Sequence, residues 1–514
     1  MDHVKERIRL PEQVGILTDT FTVWKGTNHY KKDDIEANLV LEKETLSVLL
    51  KADKTPVREI FLVWENEVES SDEILADHWE RSYGDLEWKR AEDTEVMPWY
   101  FLADCGQSCK AFGIKVRPGA MCWWELQKEK LVLHLDVRCG GKGVVLDGRT
   151  LTAAQVLMKE YETDAFEAAS LFCRSMCTDA ITPETPVYGS NNWYYAYGKS
   201  SREDILKDCQ YLAAMTEKLQ PRPFMVIDDG WQVSHSDNYN GGPWTDGNSG
   251  YGDMKQLADD MKQYDVRPGI WFRPLLDYSA DIPEDWRLPR EKAVLDVSVP
   301  AVISHIQEDF KRMKAWGFEL VKHDFSTFDL FGRWGFMMGK ELTDPEWCFH
   351  DRSRTTAEII VAFYQAIKDA AEDMIILGCN CIGHLGAGLM HLNRIGDDTS
   401  GMEWERTRKM GINTLAFRMP QQGAFFGADA DCVGITGEIP WEKNRQWMKL
   451  LAESGTPFFV SVKPGILTEV QEEELKQAYY DAASNMEQAI PLDWKKTKTP
   501  EKWKTFKGVQ RFEW

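Results

Sequence analysis

From about residue 186, short apolar runs alternate with amphipathic segments, and this rhythm constrains the fold more than any other feature of the chain. Residues 224–227 and 318–324 have the apolar character of buried strands, while 301–316 repeat apolar residues at helical spacing. About eight such strand–helix units fit into ~280 residues, which is the usual size of a (β/α)₈ barrel. We therefore predict a (β/α)₈ TIM barrel over residues 186–484.

A doubly wound parallel sheet would give the same alternation of strands and helices. That fold commonly binds phosphate groups at a glycine-rich turn that follows its first strand. No such turn follows the first predicted strand, and the barrel is therefore the preferred prediction.

The flanking regions show β patterns of a different kind. Residues 1–180 contain short β-rich runs separated by turn clusters, at 21–24, 47–50, 60–64, 123–126 and 131–137. Their spacing predicts an N-terminal β-sandwich, and a helix over 155–177 is expected to link it to the barrel. Residues 485–514 are expected to form a short C-terminal β extension. The complete prediction is a multidomain protein of the α/β plus β class.

The charge of the chain bears on its partners. Asp and Glu number 83 and Lys and Arg 61, so the formal net charge is −22. This excess argues against nucleic acid or an anionic membrane as a partner, and no apolar run approaches the ~18 residues of a membrane span. Residues 1–7 lack the apolar core of a secretion signal, and the 11 cysteines fit reduced, buried thiols. We therefore expect a cytoplasmic protein, with homo-oligomerisation left open.

Polar residues follow the ends of the predicted barrel strands. In a TIM barrel the carboxyl ends of the strands carry the active site. The residues at these ends are Asn191, Asn192, Trp193, Asp228, Asp229, Arg273, Lys322, Asp324, Cys379, Asn380, Arg394 and Asp397. Histidine is nearly absent from this set, which disfavours a zinc or iron site, and no metal or cofactor is expected. Carboxylates, cations and tryptophan faces instead suit a neutral, polyhydroxylated ring.

Two carboxylates that flank a sugar are the machinery of glycoside hydrolysis. Asp324 follows Lys322 by two positions, so both side chains are expected on the same face of one strand. The Lys322 cation would favour the ionised form of Asp324, as a nucleophile requires. A purely structural ion pair is the alternative interpretation.

Two Asp-Asp pairs have competing interpretations. Asp228 and Asp229 could form an ordinary turn, but at a barrel strand end ligand binding is favoured. Asp397 and Asp398 could equally lie in the N-cap region of a helix that begins near Met402, and local evidence leaves both interpretations open.

A third acidic pair, Asp429 and Asp431, lies at the seventh predicted strand. These residues could contact substrate or metal, but loops carry such carboxylates freely. A loop pair is the preferred interpretation, and the role of both residues stays open.

Several of these stretches, taken in order, resemble the α-galactosidases and melibiases of glycoside hydrolase families 36 and 27, which are retaining enzymes. The stretches are 192–195, 227–232, 269–271, 294–296 and 320–324. The resemblance covers roughly 186–500 and extends more weakly into the N-terminal region. The ordered set is specific, whereas any single stretch alone would be weak.

The resemblance implies roles for individual residues. It makes Asp324 the nucleophile and Asp397 the acid/base, with Asp398 as the neighbouring candidate. It implies further sugar contacts from Trp193, Asp228, Asp229, Arg290, Lys322 and Cys379. Ser326 and Arg273 stand where the family often has asparagine and glutamate. We expect both to contact substrate, and they leave the exact sugar and its 2-substituent open.

The activity implied is that of a retaining exo-α-glycosidase acting on terminal α-galactosides by double displacement. Three enzymatic alternatives keep this fold: an α-N-acetylgalactosaminidase, a β-L-arabinopyranosidase and an α-galactosyl transferase. A metal-dependent aldolase or epimerase barrel would differ by its sensitivity to a chelator. A non-catalytic carbohydrate-binding protein would not need both Asp324 and Asp397, so their joint presence argues against it.

Overall fold

The computed structural model describes residues 4–91 and 96–514. The expectation that no secretion signal is present concerns residues 1–7, of which residues 1–3 lie outside this range. The N-terminal region is almost entirely β structure. Its elements are β1 Val4–Glu6, β2 Gln13–Leu17, β3 Phe21–Lys25, β4 His29–Lys32, β5 Ile35–Leu41, β6 Leu46–Ala52, β7 Glu59–Glu65, β8 Glu73–Ala76, β9 Lys89–Arg90, β10 Met97–Pro98, β11 Tyr100–Asp104, β12 Cys109–Ile114, β13 Met121–Gln127, β14 Lys130–Asp136, β15 Thr150–Tyr161 and the helix α1 Ala165–Met176.

These strands form two antiparallel sheets. One has the order β4-β5-β6-β15-β12-β11-β8-β9, with β1 also paired to β15, and the other has the order β10-β13-β14-β7-β2-β3. Phe101 and Phe112 of the first sheet contact Trp124 of the second, with ring centroids 5.9 and 6.1 Å apart. Aromatic side chains therefore join the facing surfaces of the two sheets.

The helix expected over 155–177 is wrong in its first part. Residues up to Tyr161 belong to β15, which pairs with β6 on one side and with β12 on the other. These two ladders satisfy the backbone of this stretch and override its local helical pattern. The helix begins only at Ala165, where the Asp164 carboxylate caps the free N–H groups of Phe166 and Glu167.

The central region alternates strands and helices, as the sequence predicts. Its strands are β16 Tyr188–Asn191, β17 Phe224–Ile227, β18 Arg267–Phe272, β19 Arg287–Leu288, β20 Glu291–Leu295, β21 Leu320–His323, β22 Ile375–Gly378, β23 Leu392–Arg394, β24 Gly427–Asp429, β25 Cys432–Ile435 and β26 Phe458–Val462. Its α-helices are α2 Trp193–Ala196, α3 Arg202–Met215, α4 Met254–Gln263, α5 Pro300–Trp316, α6 Ser326–Phe331, α7 Thr356–Ala371, α8 Gly383–Gly386, α9 Trp404–Thr407, α10 Thr414–Arg418, α11 Trp441–Glu453 and α12 Glu469–Ser484. A π-helical stretch, Arg408–Asn413, joins α9 to α10, and short 3₁₀ turns cover Glu284–Trp286, Gly335–Met337 and Met419–Gln421.

Nine of these strands form one parallel sheet with the order β24-β23-β22-β21-β18-β17-β16-β26-β25. The two outermost strands, β24 and β25, are separated only by Ala430 and Asp431. The sheet is therefore curled, so that its two ends are successive stretches of one chain segment. A compact apolar cluster built on its strands includes Phe224, Val226, Leu320, Leu377, Leu392 and Phe459.

Capping residues explain where several helices begin or end. Helix α5 ends at Gly317, whose φ of 98° suits a residue without a side chain. A capping box formed by Ser201 and Asp204 starts α3. Glu403 is the N-cap of α9, so the N-cap interpretation of Asp397 and Asp398 is wrong.

The remaining chain completes the structure. Strands β27 Ile490–Pro491, β28 Lys502–Thr505 and β29 Gly508–Arg511 form the antiparallel sheet expected at the C-terminus. Across residues 4–91 and 96–514, the structure contains no helix with the length and apolar character needed to cross a membrane.

Candidate active site

A cavity of about 350 Å³ opens at the carboxyl ends of the parallel strands. Its lining residues are Arg81, Tyr83, Trp193, Asp228, Asp229, Asn240, Trp271, Lys322, Asp324, Phe325, Trp334, Phe336, Asn380, Asp397 and Asp398. Most of them follow β17, β21, β22 or β23, where a parallel barrel places its active site. The cavity brings together five aromatic residues other than tyrosine, five aspartates and two cations at one point of the fold.

Asp324 accepts three hydrogen bonds in the cavity. It follows the last residue of β21, and its backbone N–H donates to the Phe272 carbonyl at 2.9 Å. Trp271 Nε1 donates to Asp324 Oδ2 at 3.0 Å. Oδ1 accepts from the Phe325 backbone N–H at 2.6 Å and from Asn380 Nδ2. The carboxylate is therefore fixed in orientation from three directions.

These partners determine the ionisation of Asp324. Burial alone raises the pKa of this carboxyl, because an apolar surrounding disfavours charge. The Lys322 cation opposes burial, and so do the hydrogen bonds from Trp271 and Asn380. The net result is that the pKa of Asp324 is lowered, and the residue is anionic at neutral pH.

Two left-handed residues shape this part of the cavity. Phe325 and Asn380, which follow β21 and β22, have φ angles of 65° and 51°. Residues other than glycine rarely adopt this conformation, and here it occurs at two adjacent strand ends that face the cavity. The turns direct Asp324 and Asn380 toward each other.

Lys322 pairs with Asp228 rather than with Asp324. Its Nζ donates to Asp228 Oδ2 at 2.7 Å, and Asn191 Nδ2 donates to the same oxygen at 2.7 Å. Burial lowers the pKa of Lys322, but the Asp228 carboxylate and the other nearby acidic groups, among them Asp324, together outweigh burial and leave the pKa raised, so the lysine is cationic. Lys322 thus supports the charge of Asp324 from a distance while hydrogen-bonded to another aspartate.

Asp229 belongs to a separate set of contacts on the same loop. Its Oδ1 accepts from Gln232 Nε2 at 2.8 Å and lies 3.3 Å from His235 Nδ1. The neighbouring Asp229 carboxylate raises the pKa of His235. The strand-end pair Asp228–Asp229 is therefore anchored through different partners, and both residues line the cavity.

Asp397 is held by two arginines. Arg81 Nη2 lies 2.7 Å from its Oδ1, and Arg406 Nη2 donates to its Oδ2 at 2.9 Å. Its backbone N–H also donates to the Ser82 carbonyl at 3.1 Å. Both carboxylate oxygens of Asp397 therefore have an arginine partner.

Asp398 differs from its neighbour. Its Oδ1 accepts from Arg394 Nη1 at 3.2 Å, while no residue within the described ranges donates to its Oδ2. Its side chain is 41% exposed, against 19% for Asp397, so it is more accessible from the cavity. Partial burial and the nearby Asp431 carboxylate raise the pKa of Asp398, and they outweigh the lowering effect of Arg394.

Four predicted contact residues do not line this cavity. Arg273 forms a two-armed ion pair with Asp329 and stacks on the Phe325 ring, which does line it. Arg290 Nη2 donates to the Asp329 carbonyl at 2.6 Å. Cys379 and Ser326 are buried behind the surface. Their predicted substrate contacts stay predictions.

Sequence reasoning missed lining residues from outside the strand ends. Arg81 and Tyr83 lie between β8 and β9 of the N-terminal region, and Ser82 forms a parallel bridge with Gly396. Asn240, Trp334 and Phe336 come from long loops after β17 and β21. The run Trp79–Tyr83 is aromatic and charged without strand periodicity, which was the one signal available for Arg81.

Comparison with known proteins identifies the fold. No protein-family model matches the sequence, and no curated protein sequence matches it. An α-galactosidase from Thermus thermophilus, in complex with p-nitrophenyl α-D-galactopyranoside, is similar with a TM-score of 0.62 and 14% identity, over 94% of this chain and 99% of that chain. The GH36 α-galactosidase AgaA from Geobacillus stearothermophilus is similar with a TM-score of 0.60 and 14% identity, over 88% of this chain and 67% of that chain. The chain therefore shares the fold of these α-galactosidases.

Proposed function

We propose that this protein is a retaining exo-α-galactosidase that hydrolyses terminal α-galactosides of the melibiose or raffinose type. The observation that carries the proposal is a pair of carboxyl groups in one cavity with opposite pKa shifts, Asp324 lowered and Asp398 raised. A retaining glycosidase needs an ionised nucleophile and a protonated acid at the same glycosidic bond. The fold shared with α-galactosidases supports galactose as the sugar.

The proposal assigns the acid/base role to Asp398 in preference to Asp397. An acid must hold a proton at rest and release it to the leaving oxygen. Arginines contact both oxygens of Asp397, whereas Asp398 has a raised pKa and an Oδ2 to which no residue of the described ranges donates. We infer that Asp397 instead anchors Arg81 at the cavity wall.

The reaction then proceeds in two displacements. Asp324 attacks the anomeric carbon while the bond to the leaving oxygen breaks and Asp398 transfers its proton to that oxygen. Asp398 next takes a proton from water, and the water oxygen attacks the anomeric carbon and releases Asp324. Two inversions restore the original configuration, and both carboxyl groups return to their starting states.

The other cavity residues supply binding. Asp228, Asp229 and Lys322 offer acceptors and a donor for sugar hydroxyls, and Trp193 offers an apolar face. Binding energy from these contacts helps catalysis only where it strengthens in the transition state. A site rich in buried carboxylates suits a neutral sugar, because an anionic one would meet repulsion.

We infer that the curled sheet is a closed (β/α)₈ barrel in which β24 and β25 are one interrupted strand. The supporting observation is that β24 pairs with β23 while β25 pairs with β26. Joining the two reduces nine strands to eight with every neighbour paired. The contacts of Trp124 support a two-sheet N-terminal sandwich. The boundaries 1–180, 186–484 and 485–514 remain predictions, as do a cytoplasmic location and homo-oligomerisation.

The test is hydrolysis of p-nitrophenyl α-galactoside by the purified full chain, followed by proton NMR of the first sugar released. We expect α-galactose to appear first and the β-anomer to accumulate later by mutarotation. The β-anomer as first product would contradict double displacement.

Further substrates separate the alternative activities. The p-nitrophenyl α-N-acetylgalactosaminide and β-L-arabinopyranoside test the other sugars, and an added sugar acceptor tests for transfer. No turnover on any of these glycosides would contradict the proposed activity.

A further inference from the structure

Arg394 is the centre of a buried charge cluster behind the acid/base candidate. Its Nη2 lies 2.7 Å from Asp431 Oδ1, its Nε donates to Asp429 Oδ2 at 3.2 Å, and its Nη1 donates to Asp398 Oδ1 at 3.2 Å. One guanidinium therefore contacts three carboxyl groups and cannot neutralise all of them. The cluster holds excess negative charge, and Asp398 is its member nearest to the cavity.

Asp431 is the most firmly held member of this cluster. Beside the Arg394 contact, its Oδ2 accepts from the Tyr194 hydroxyl, from the Thr399 backbone N–H at 2.9 Å and from Thr399 Oγ1 at 3.2 Å. The residue has a φ of 71°, a left-handed conformation at the break between β24 and β25. The interrupted strand thus serves to direct this carboxylate into the cluster.

We propose that Asp431 is a positioning residue whose fixed negative charge, held by Arg394, keeps the proton on Asp398 until the leaving oxygen takes it. This inference rests on the proposed glycosidase function and deepens it. It assigns a role to a residue that sequence reasoning treated as a loop carboxylate. Asp431 does not line the cavity, so its effect reaches the substrate only through Asp398.

The charges around Asp398 give the expected direction. The groups that face it are Arg394 from β23, Asp431 after β24, Arg81 from the N-terminal region, the adjacent Asp397, and Tyr194 and Tyr197 at α2. Burial first, and then the Asp431 charge, raise the pKa of Asp398, while the two arginines lower it. Loss of the Asp431 charge would remove this repulsion from Asp398. The change favours the ionised form of Asp398.

The experiment compares pH profiles of kcat/KM for the wild type and for Asp431→Asn. The basic limb reports the ionisation of the acid in the free enzyme. We expect Asp431→Asn to move this limb to lower pH by about one pH unit, since one nearby charge is removed. The conservative variant Asp431→Glu should move the limb less, because it retains the charge.

Asp429→Asn is the matched control, since Asp429 is equally buried and also contacts Arg394. A merely structural role would lower thermal stability in both variants and leave both basic limbs in place. The proposal would be overturned if the basic limb of kcat/KM lay at the same pH in the wild type and in Asp431→Asn. It would also be overturned if Asp431→Asn and Asp429→Asn shifted this limb by the same amount.

The wild type provides a test that needs no folded variant. If the basic limb of kcat/KM in the wild type lay at about pH 4, Asp398 would titrate as an ordinary aspartate, and the proposal would be overturned. Failure of the proposed function is distinct from these outcomes, because the wild type itself would then not turn over the galactoside.

Discussion

The two sides of the cavity treat a buried carboxyl group in opposite ways. The nucleophile wall consists of Asp228, Trp271, Lys322, Asp324 and Asn380, all from the ends of parallel strands. The acid wall consists of Asp397, Asp398 and Arg81 from the N-terminal region, with Arg394 and Asp431 directly behind it. Burial raises the pKa of Asp324 and of Asp398 alike. The net direction differs because their neighbours differ.

On the nucleophile wall the neighbours of Asp324 are a cation and neutral donors, which stabilise the anion. On the acid wall the strongest charge acting on Asp398 is another carboxylate. The comparison teaches that burial alone assigns no role to either residue. In the proposed function, the charges that stand behind each carboxyl group decide which one acts as nucleophile and which as acid.

The largest effect is expected where the nucleophile wall loses its reacting group. Asp324→Ala removes the atom that attacks the anomeric carbon, so kcat for p-nitrophenyl α-galactoside should fall on the order of 10⁴-fold or more. Added azide should enter the vacated space and yield β-galactosyl azide, which proton NMR identifies. Substantial residual activity without azide, in protein of unchanged thermal stability, would remove Asp324 from the role.

A smaller effect is expected from the acid wall. Asp398→Asn should lower kcat/KM for raffinose by about 10²- to 10⁴-fold, because the sugar leaving group needs a proton. The loss should be much smaller for p-nitrophenyl α-galactoside, whose leaving group is acidic. Asp397→Asn is the control: it frees Arg81 and Arg406 but should affect both substrates by similar factors. A leaving-group dependence in Asp397→Asn instead would restore the assignment made from the sequence.

Much of the fold follows from local patterns in the sequence. Apolar runs such as 224–227 coincide with strands, and the helix predicted at 301–316 differs by one residue from α5. The failure at 155–161 has a clear cause, since β15 is held by strands distant in sequence. Local periodicity cannot report such pairing.

The site residues likewise divide into those that local sequence patterns predict and those that they do not. Asp228, Lys322 and Asp324 follow strand ends, so the barrel rule brings them to one cavity. Arg81 reaches that cavity from a different region, and the choice between Asp397 and Asp398 depends on side chains that only the folded chain brings near. Motif spacing identifies the pair but carries no information about which member two arginines will hold.

The smallest predicted effect tests one donor on the nucleophile wall. Trp271→Phe removes the Nε1 donor to Asp324 Oδ2 and keeps most of the buried ring. Because that hydrogen bond lowers the pKa of Asp324, its loss should raise the pKa and move the acidic limb of kcat/KM to higher pH by roughly half a pH unit. Activity at the optimum should fall only a few-fold, since the charge of Lys322 remains.

Trp244→Phe is the matched control for this change. Trp244 is also buried and its ring lies 5.9 Å from that of Trp271, but its Nε1 has no hydrogen-bond partner within residues 4–91 and 96–514. Both variants lose the same volume and should lose similar thermal stability. Only Trp271→Phe should move the acidic limb. If the acidic limb of kcat/KM lay at the same pH in both variants, the Trp271 hydrogen bond would have no effect on the pKa of Asp324. Lys322 and Asn380 would then keep Asp324 ionised without it.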